Sequence, residues 1–501
     1  MVKKALHLAP DDDVAIAVEP LAVGDTIAWE NHVIEVQEPI GRGHKVAVRA
    51  IARGERVYKY GFPIGVATRD IPRGTWVHVH NVRTALSGKL EYAYQPELVT
   101  GVQQEHPVMP TSFRGYVREN GQVGTRNEIW IINTVGCVNK VAERLATLAD
   151  ARWRGQGIDG VYHFPHPYGC SQLGDDLGYT QSLLAGLARH PNAAGVLIVG
   201  LGCENNRIES FRSALSDVPQ EKLRFLELQA TADEFEVGMS LIAELVQYAS
   251  HYKREETSVA KLKIGLKCGG SDGFSGMTAN PLVGRVADWV TLHGGTALLT
   301  EVPEMFGAET ILMQRAENEE VFEQIVDLIN RWKDYYQRHG QPIYENPSPG
   351  NKDGGITTLE EKSLGCVQKG GRTAKVVDVV AYGQSAQKPG LNLVEAPGND
   401  MVSVSALAAA GAQLVLFTTG RGTPMGGPVP TVKIATNSDL ARQKPGWIDF
   451  DAGRLTDGVP FDDLALQLYE HVIRVASGED LARNERNGYR EIAIFKDGVT
   501  L

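Results

Sequence analysis

Ala194-Gly195-Val196-Leu197-Ile198-Val199-Gly200-Leu201-Gly202-Cys203-Glu204-Asn205 is a short apolar run that breaks into a turn carrying Gly and Cys. The run has the length of a strand, and the pattern after it is helical from about 205 to 216, so the segment reads as a buried strand feeding a helix. The same order recurs on both sides. Residues 129–132 precede a helix at about 138–150, residues 160–164 one at about 174–189, and residues 262–266 one at about 279–291. Residues 297–299 and 414–417 read as further buried strands, and 319–339 as a surface helix charged on one face. Short apolar strands alternating with helices predict βαβ units and a largely parallel sheet with flanking helices, an α/β fold.

Residues 1–90 differ. Val14, Ile16 and Val18 alternate with alanines, and a short repeat occurs as Leu21-Ala22-Val23-Gly24-Asp25-Thr26-Ile27, Ile51-Ala52-Arg53-Gly54-Glu55-Arg56-Val57 and Ile71-Pro72-Arg73-Gly74-Thr75-Trp76-Val77. The glycine supplies the positive φ of a tight turn between short strands, so this part reads as a small all-β module. His78 and His80 would share one strand face there. Residues 91–115, with Pro96, Pro107 and Pro110 and no periodicity, read as a linker. The charge run His251-Tyr252-Lys253-Arg254-Glu255-Glu256 divides the α/β part into 116–255 and 256–501.

Of the 501 residues, 43% are hydrophobic and 22% charged, which supports a buried core and excludes disorder as the main state. The net charge of −11 comes with no long basic run, which argues against nucleic acid or an anionic membrane as partner. No stretch approaches the roughly 20 apolar residues of a membrane span. The amino terminus has no apolar signal core, so a cytoplasmic protein is expected. Five scattered cysteines without a CxxC pair argue against a disulfide scaffold or a paired-cysteine zinc site. GxxxxGK[ST] is absent and Gly420-Arg421-Gly422-Thr423-Pro424-Met425-Gly426-Gly427 has the wrong spacing for GxGxxG, so no nucleotide cofactor is expected.

Four strands end in turns that hold Cys137, Cys170, Cys203 and Cys268. Parallel strands point their carboxyl ends one way, so these four thiols are expected to face one crevice. Glu301 and Glu304, just past a strand, could ligate a divalent cation or cap a helix. His166 on a crevice loop is a candidate acid or base, and His44-Lys45 follows Gly41-Arg42-Gly43 in the β module.

Gly41-Arg42-Gly43-His44-Lys45, Gly269-Gly270-Ser271-Asp272-Gly273, Glu301-Val302-Pro303-Glu304-Met305-Phe306-Gly307-Ala308-Glu309, Asn346-Pro347-Ser348-Pro349-Gly350-Asn351-Lys352 and Thr418-Thr419-Gly420-Arg421-Gly422-Thr423-Pro424 together resemble the altronate/galactarate dehydratases, from about residue 7 to the carboxyl end. The resemblance implies a β-clip (SAF-like) amino-terminal domain, a middle dimerising domain and a carboxy-terminal Rossmann-like domain, in a homodimer. It also implies dependence on Fe2+, replaceable by Mn2+, and a role in hexuronate catabolism. The implied reaction takes D-altronate to 2-dehydro-3-deoxy-D-gluconate and water. A base removes the weakly acidic C2 proton, a metal steadies the developing enediolate, and the C3 hydroxyl leaves.

Within those motifs, His166 or His44 is assigned as base or acid, with Lys45 as neighbouring charge. Metal candidates are Cys203, Glu204, Asp272, Glu301 and Glu304; contacts to carboxylate and hydroxyls fall to Lys352, Asn399, Arg421, Thr423 and Lys433. The metal is placed at the sheet edge in preference to the histidines of the β module. Competing readings are a galactarate dehydratase, an iron–sulfur dehydratase using the scattered cysteines, and a sugar-acid-binding protein without turnover.

Overall fold

The computed structural model describes residues 2–29, 32–97 and 107–498. In the amino-terminal module the repeat closes small sheets that are antiparallel except where Val2–Lys3 runs parallel to Thr26–Trp29. Leu21 bridges Ile40 and Ile51 bridges Ile71, while Gly24, Gly54 and Gly74 turn the chain at φ of 82°, 88° and 83°. Ile40-Gly41-Arg42-Gly43-His44-Lys45-Val46 is a fourth copy, with Gly43 at φ 81°. The expected pairing of His78 and His80 on a strand face does not occur, because the strand ends at Val77. The Asn81 side chain accepts from His78 N and donates to Trp76 O, which closes a turn and separates the two rings.

The middle region holds β1 (Glu128–Asn133), α1 (Asn139–Trp153), β2 (Gly160–His163), α2 (Gly174–Arg189), β3 (Ala193–Gly200), β4 (Leu223–Glu227) and α3 (Glu234–Ala249). Among the described residues these strands form a parallel sheet of order β2-β1-β3-β4. Ala142 and Leu145 of α1 and Ile242 and Leu245 of α3 share one apolar cluster with Ile129, Ile131 and Leu197. The helix expected at about 205–216 is only Ile208–Ser213, because Asn206 is fully buried and its N–H and Nδ2 are held by Gly169 O and Thr134 O. Ser112–Val117, at the end of the stretch read as a linker, pairs antiparallel with Arg254–Ser258, which begins inside the charge run. Residues 98–106 of that stretch lie outside the described residues.

The carboxy-terminal region continues with β5 (Lys263–Cys268), α4 (Ala279–Leu292), β6 (Thr296–Leu299), α5 (Glu319–Arg338), α6 (Leu359–Cys366), β7 (Val376–Val380), β8 (Gly390–Val394), α7 (Asp400–Ala409), β9 (Leu414–Thr419), β10 (Thr431–Ala435), β11 (Phe450–Asp451) and α8 (Phe461–Ala476). Its parallel sheet has the order β7-β8-β6-β5-β9-β10-β11. The amphipathic α5 buries Val321, Phe322, Ile325, Leu328, Ile329 and Trp332 and exposes its charges except Lys333, which is buried 3.0 Å from Glu309 Oε1. From β5 the chain builds outward through β6 on one side, then returns to β9 on the other. That reversal opens a crevice at the carboxyl end of β5. Val57, Ile64 and Val77 of the β module belong to the same apolar core as Val283 and Leu299, so the module is packed onto this region rather than tethered to it. Among the described residues no helix is long and apolar enough to cross a membrane.

The turn glycines give a direct check. A Cβ at Gly54 meets nothing within 4 Å, whereas one at Gly74 would lie 2.1 Å from Glu35 O. Gly54→Ala should therefore cost only the backbone strain, about 1–2 kcal/mol, and Gly74→Ala clearly more. Thermal unfolding of the two variants measures this, and equal losses would contradict the turn geometry.

Candidate active site at the end of the central strand

Strand β5 ends in Lys267-Cys268, with neither residue exposed to any useful degree (0% and 2%). Lys267 Nζ is paired with Glu301, which follows β6, and lies 2.9 Å from Asp400 Oδ1 at the start of α7. Glu301 sits in the left-handed region at φ 71°, a strained conformation for a non-glycine residue that often marks functional sites. Its second oxygen accepts from Lys369 Nζ at 2.5 Å. Lys369 Nζ also donates to Cys268 Sγ at 2.9 Å, and Cys268 Sγ lies 3.2 Å from Cys366 Sγ. Cys366 Sγ donates to Glu304 Oε2 at 3.1 Å, and Lys362 Nζ is 2.9 Å from Glu304 Oε1.

Helical geometry explains three of these residues. Lys362, Cys366 and Lys369 recur at intervals of four and three, so they share one face of α6 and the turn after it. Burial drives the Glu304 pKa up, but Lys362, Lys267 and Lys369 outweigh it and hold the carboxyl down at about 2. The hydrogen bond from Cys366 and the Lys369 charge pull the Cys268 thiol well below its ordinary range, and Cys366 is correspondingly raised. Among the described residues, Cys268, Glu304 and Cys366 are the His, Cys, Asp or Glu side chains whose ligand atoms lie within 4.8 Å of one another. Two sulfurs and one carboxylate suit a borderline divalent metal such as iron.

Asp272, in the loop after β5, joins the loops around this cluster. It accepts from Phe274 N, Ser275 Oγ, Thr436 Oγ1 and Asn437 Nδ2. A Cβ at Gly420 would lie 2.2 Å from Asp272 Cγ, and one at Gly354 3.1 Å from Asp272 Cβ. Gly273 N donates to Gly354 O at 2.7 Å, and a Cβ at Gly273 would strike Gly43 O. The loops bearing His44, Lys352 and Arg421 therefore meet here, and the carboxylate of Asp272 is spent on holding them.

The β module enters through Lys45 and Lys59. Both ammonium groups reach Glu361 of α6, at 2.8 Å each, and Lys45 also donates to Gly355 O at 2.7 Å. Burial lowers Lys45 to about 8. Glu361 resists its own burial because Lys45 and Lys59 hold it down at about 2. His44 is half-buried; its Nδ1 accepts from Trp76 Nε1 and its Nε2 faces Asp353 O at 3.2 Å. Burial and the Lys45 charge lower its pKa, so the ring is neutral. His78 is buried with Nδ1 at Thr357 Oγ1, while His80 is exposed against Trp76.

Other sequence candidates lie apart from the cluster or are occupied. The four strand-end cysteines belong to two sheets: Cys137, Cys170 and Cys203 are exposed at the middle sheet, and Cys268 is buried at the carboxy-terminal one. Glu204 accepts from Thr134 Oγ1, Leu201 N and Gly202 N, so it closes its own loop. Both ring nitrogens of His166 are engaged by backbone, Nε2 at Asn133 O and Nδ1 accepting from Tyr168 N, which makes the ring a buried loop clasp. Asn399 caps α7 through Val402 N, Thr423 Oγ1 accepts from Met425 N, and buried Lys433 donates to Pro424 O. Lys267, Lys362, Lys369 and Cys366 escaped the sequence reading. The interval of four and three between Lys362, Cys366 and Lys369 was the signal that could have found three of them.

A parallel α/β sheet with buried lysines, thiols and carboxylates at its switch point, roofed by a β module, is the architecture of an enzyme. Three family models match: the altronate/galactarate dehydratase SAF domain over residues 3–85, the second domain of D-galactarate dehydratase/altronate hydrolase over 115–250, and the carboxy-terminal D-galactarate/altronate dehydratase domain over 259–500. The chain is 51% identical over 505 residues, covering all of both chains, to an altronate dehydratase of Bacillus subtilis (strain 168). It is 51% identical over 494 residues, 98% of each chain, to an altronate dehydratase of Escherichia coli (strain K12). It is 33% identical over 480 residues to the galactarate dehydratase (L-threo-forming) of the same strain, covering 92% of this chain and 91% of that one. The chain belongs to the altronate/galactarate dehydratase family and is a hydro-lyase.

Two outcomes follow from the charges. Lys369→Met leaves Cys268 Sγ and Glu301 short of a buried cation, and should destabilise the enzyme by about 3–5 kcal/mol, read from denaturant unfolding; an unchanged midpoint would contradict the pairing. Because Glu361 is held below its ordinary value, its contribution is complete above about pH 4.5 and is lost as pH falls toward about 2. The stability gap between wild type and Glu361→Gln should therefore shrink on acidification, as thermal unfolding across that range would show. A gap that widens would refute the assignment.

Proposed function

We propose that the chain dehydrates D-altronate to 2-dehydro-3-deoxy-D-gluconate and water. The observation that carries this reading is the buried cluster of Lys267, Cys268, Glu301, Glu304, Cys366 and Lys369 at the switch point, in a chain alike over its whole length to two altronate dehydratases.

The substrate's carboxylate needs cations that are not already neutralised. Lys352 and Arg421 stand on the loops gathered by Asp272, and neither has a carboxylate partner among the described residues. We assign them to the carboxylate, and Asn399, Thr423 and Lys433, engaged with Val402 N, Met425 N and Pro424 O, to holding their own loops. His44 is the acid–base residue of this reading: it lies at the same junction, and because Nδ1 accepts from Trp76 Nε1 its Nε2 carries the proton, which suits the resting ring to the acid role, proton delivery to the leaving C3 hydroxyl. Lys45 is itself clamped by Glu361 and Gly355 O, which fixes the position of His44 next to it. Cys268, Cys366 and Glu304 would hold Fe2+, with Mn2+ as a replacement. That ion supplies a Lewis acid to steady the charge left when the C2 proton departs. Glu301 keeps Lys267 and Lys369 in place beside that charge.

The five thiols are free, which suits the reducing cytoplasm where we place the enzyme, and we infer a homodimer from the family resemblance. With Fe2+ and reductant the enzyme should form 2-keto acid from altronate far faster than from galactarate. A strong chelator should abolish turnover, and added Fe2+ restore it. Full activity in metal-stripped enzyme would overturn the metal, and faster turnover of galactarate the substrate. His44→Ala should lower kcat by about 10²–10⁴ with the fold intact; a near-normal rate would remove His44 from the chemistry.

A further inference from the structure

The middle sheet ends in three loops of one design. Gly136-Cys137, Gly169-Cys170 and Gly202-Cys203 recur at an equal interval of 33 residues (137, 170, 203). They follow β1, β2 and β3, which lie side by side in the order β2-β1-β3. The loops are bound to one another. Gly136 N donates to Tyr168 O at 2.8 Å and Asn206 N to Gly169 O at 3.0 Å. Ser171 N donates to Asn205 Oδ1 at 2.7 Å and Asn206 Nδ2 to Thr134 O at 3.0 Å. A Cβ at Gly169 would lie 2.0 Å from Thr134 O, so each loop rests directly on its neighbour.

All three thiols are exposed and free. Their polar neighbours are weak ones: Gln229 Nε2 lies 3.5 Å from Cys203 Sγ, and Ser171 Oγ lies 3.9 Å from Cys170 Sγ. One nearby carboxylate, Glu204, is occupied by Thr134 Oγ1 of the neighbouring loop and by Leu201 N and Gly202 N of its own. At the same edge Asn133 Oδ1, His163 Nε2 and Asn206 Oδ1 are buried without a hydrogen-bond partner. Three soft donors and several unmet polar atoms at one sheet edge describe a site for a thiophilic group, with the Glu227 carboxylate beside the Gly202 turn as the hard donor at hand. The three sulfurs do not form a group within 4.8 Å of one another, unlike Cys268, Glu304 and Cys366. Three thiolates on one ion at about 2.3 Å each would fall within that distance, so the group to consider here is one with several metal atoms, which bridges sulfurs set further apart.

The geometry points to an iron–sulfur cluster held by Cys137, Cys170 and Cys203, separate from the Cys268–Glu304–Cys366 centre. Three protein thiolates leave one iron of a four-iron cluster without a cysteine. The inference does not depend on the proposed reaction, because its test reads composition and not turnover.

Enzyme purified without oxygen should contain about four acid-labile sulfides per chain and absorb in the visible. Cys137→Ser, Cys170→Ser and Cys203→Ser should each lose both signals while keeping the wild-type far-ultraviolet circular dichroism. Wild-type alkylation mapped by mass spectrometry covers the case in which a variant fails to fold: the three thiols should be protected in the native enzyme and labelled after acid release of the sulfide. Wild type without labile sulfide, metal on these thiols without sulfide, or alkylation of all three in sulfide-containing enzyme would each overturn the assignment.

Discussion

The ammonium of Lys267, with no exposure to water, dictates much of what surrounds it. Removing an ion from water costs several kcal/mol unless charges of opposite sign and hydrogen bonds meet it. Glu301 and Asp400 do so from the ends of neighbouring segments, one after β6 and one at the start of α7. Glu301 reaches it from a left-handed backbone, and Lys369 balances its second oxygen. The central strand, the strand beside it and the helix after β8 are therefore tied at one point by electrostatics. The thiols and Glu304 sit in the field that this arrangement creates.

The same logic carries the β module into the site. Lys45 and Lys59 come from the module, and the carboxylate that neutralises them, Glu361, comes from the helix that also presents Lys362 and Cys366. Docking the module and placing the thiol pair thus depend on one short helix, every residue of which is buried. Apolar packing of Val57, Ile64 and Val77 into the shared core gives that docking its area, and the ion triad gives it its register.

Much of the architecture was legible because it is local. Strand ends, turn glycines and the α5 stripe depend on periodicity and backbone preference within a few residues, and α2 spans 174–189 as its pattern implies. The amino-terminal repeat was also legible, although its fourth copy, Ile40 to Val46, was masked by the charged Arg42-Gly43-His44-Lys45. The site was legible only in part. Glu301 and Glu304 stood out because two acidic residues just past a strand signal chemistry, and Asp272 because its glycine-rich loop carries the family resemblance. Cys366 did not, because it ends a helix, and its partner Cys268 lies 98 residues away in the chain. Nothing local distinguishes His166, whose nitrogens bind backbone, from a histidine that faces a substrate. Equivalence of position also misled: four cysteines at strand ends looked like one crevice, but they belong to two sheets.

The central claim is that the reaction centre lies at the end of β5, under the β module. The most direct measurement is anomalous diffraction at the iron edge from crystals of the Fe2+-loaded enzyme with altronate bound. The account predicts an iron peak among Cys268, Cys366 and Glu304, with the sugar acid's carboxylate toward Lys352 and Arg421. Altronate bound at another edge of the molecule, with no iron among those three side chains, would contradict it.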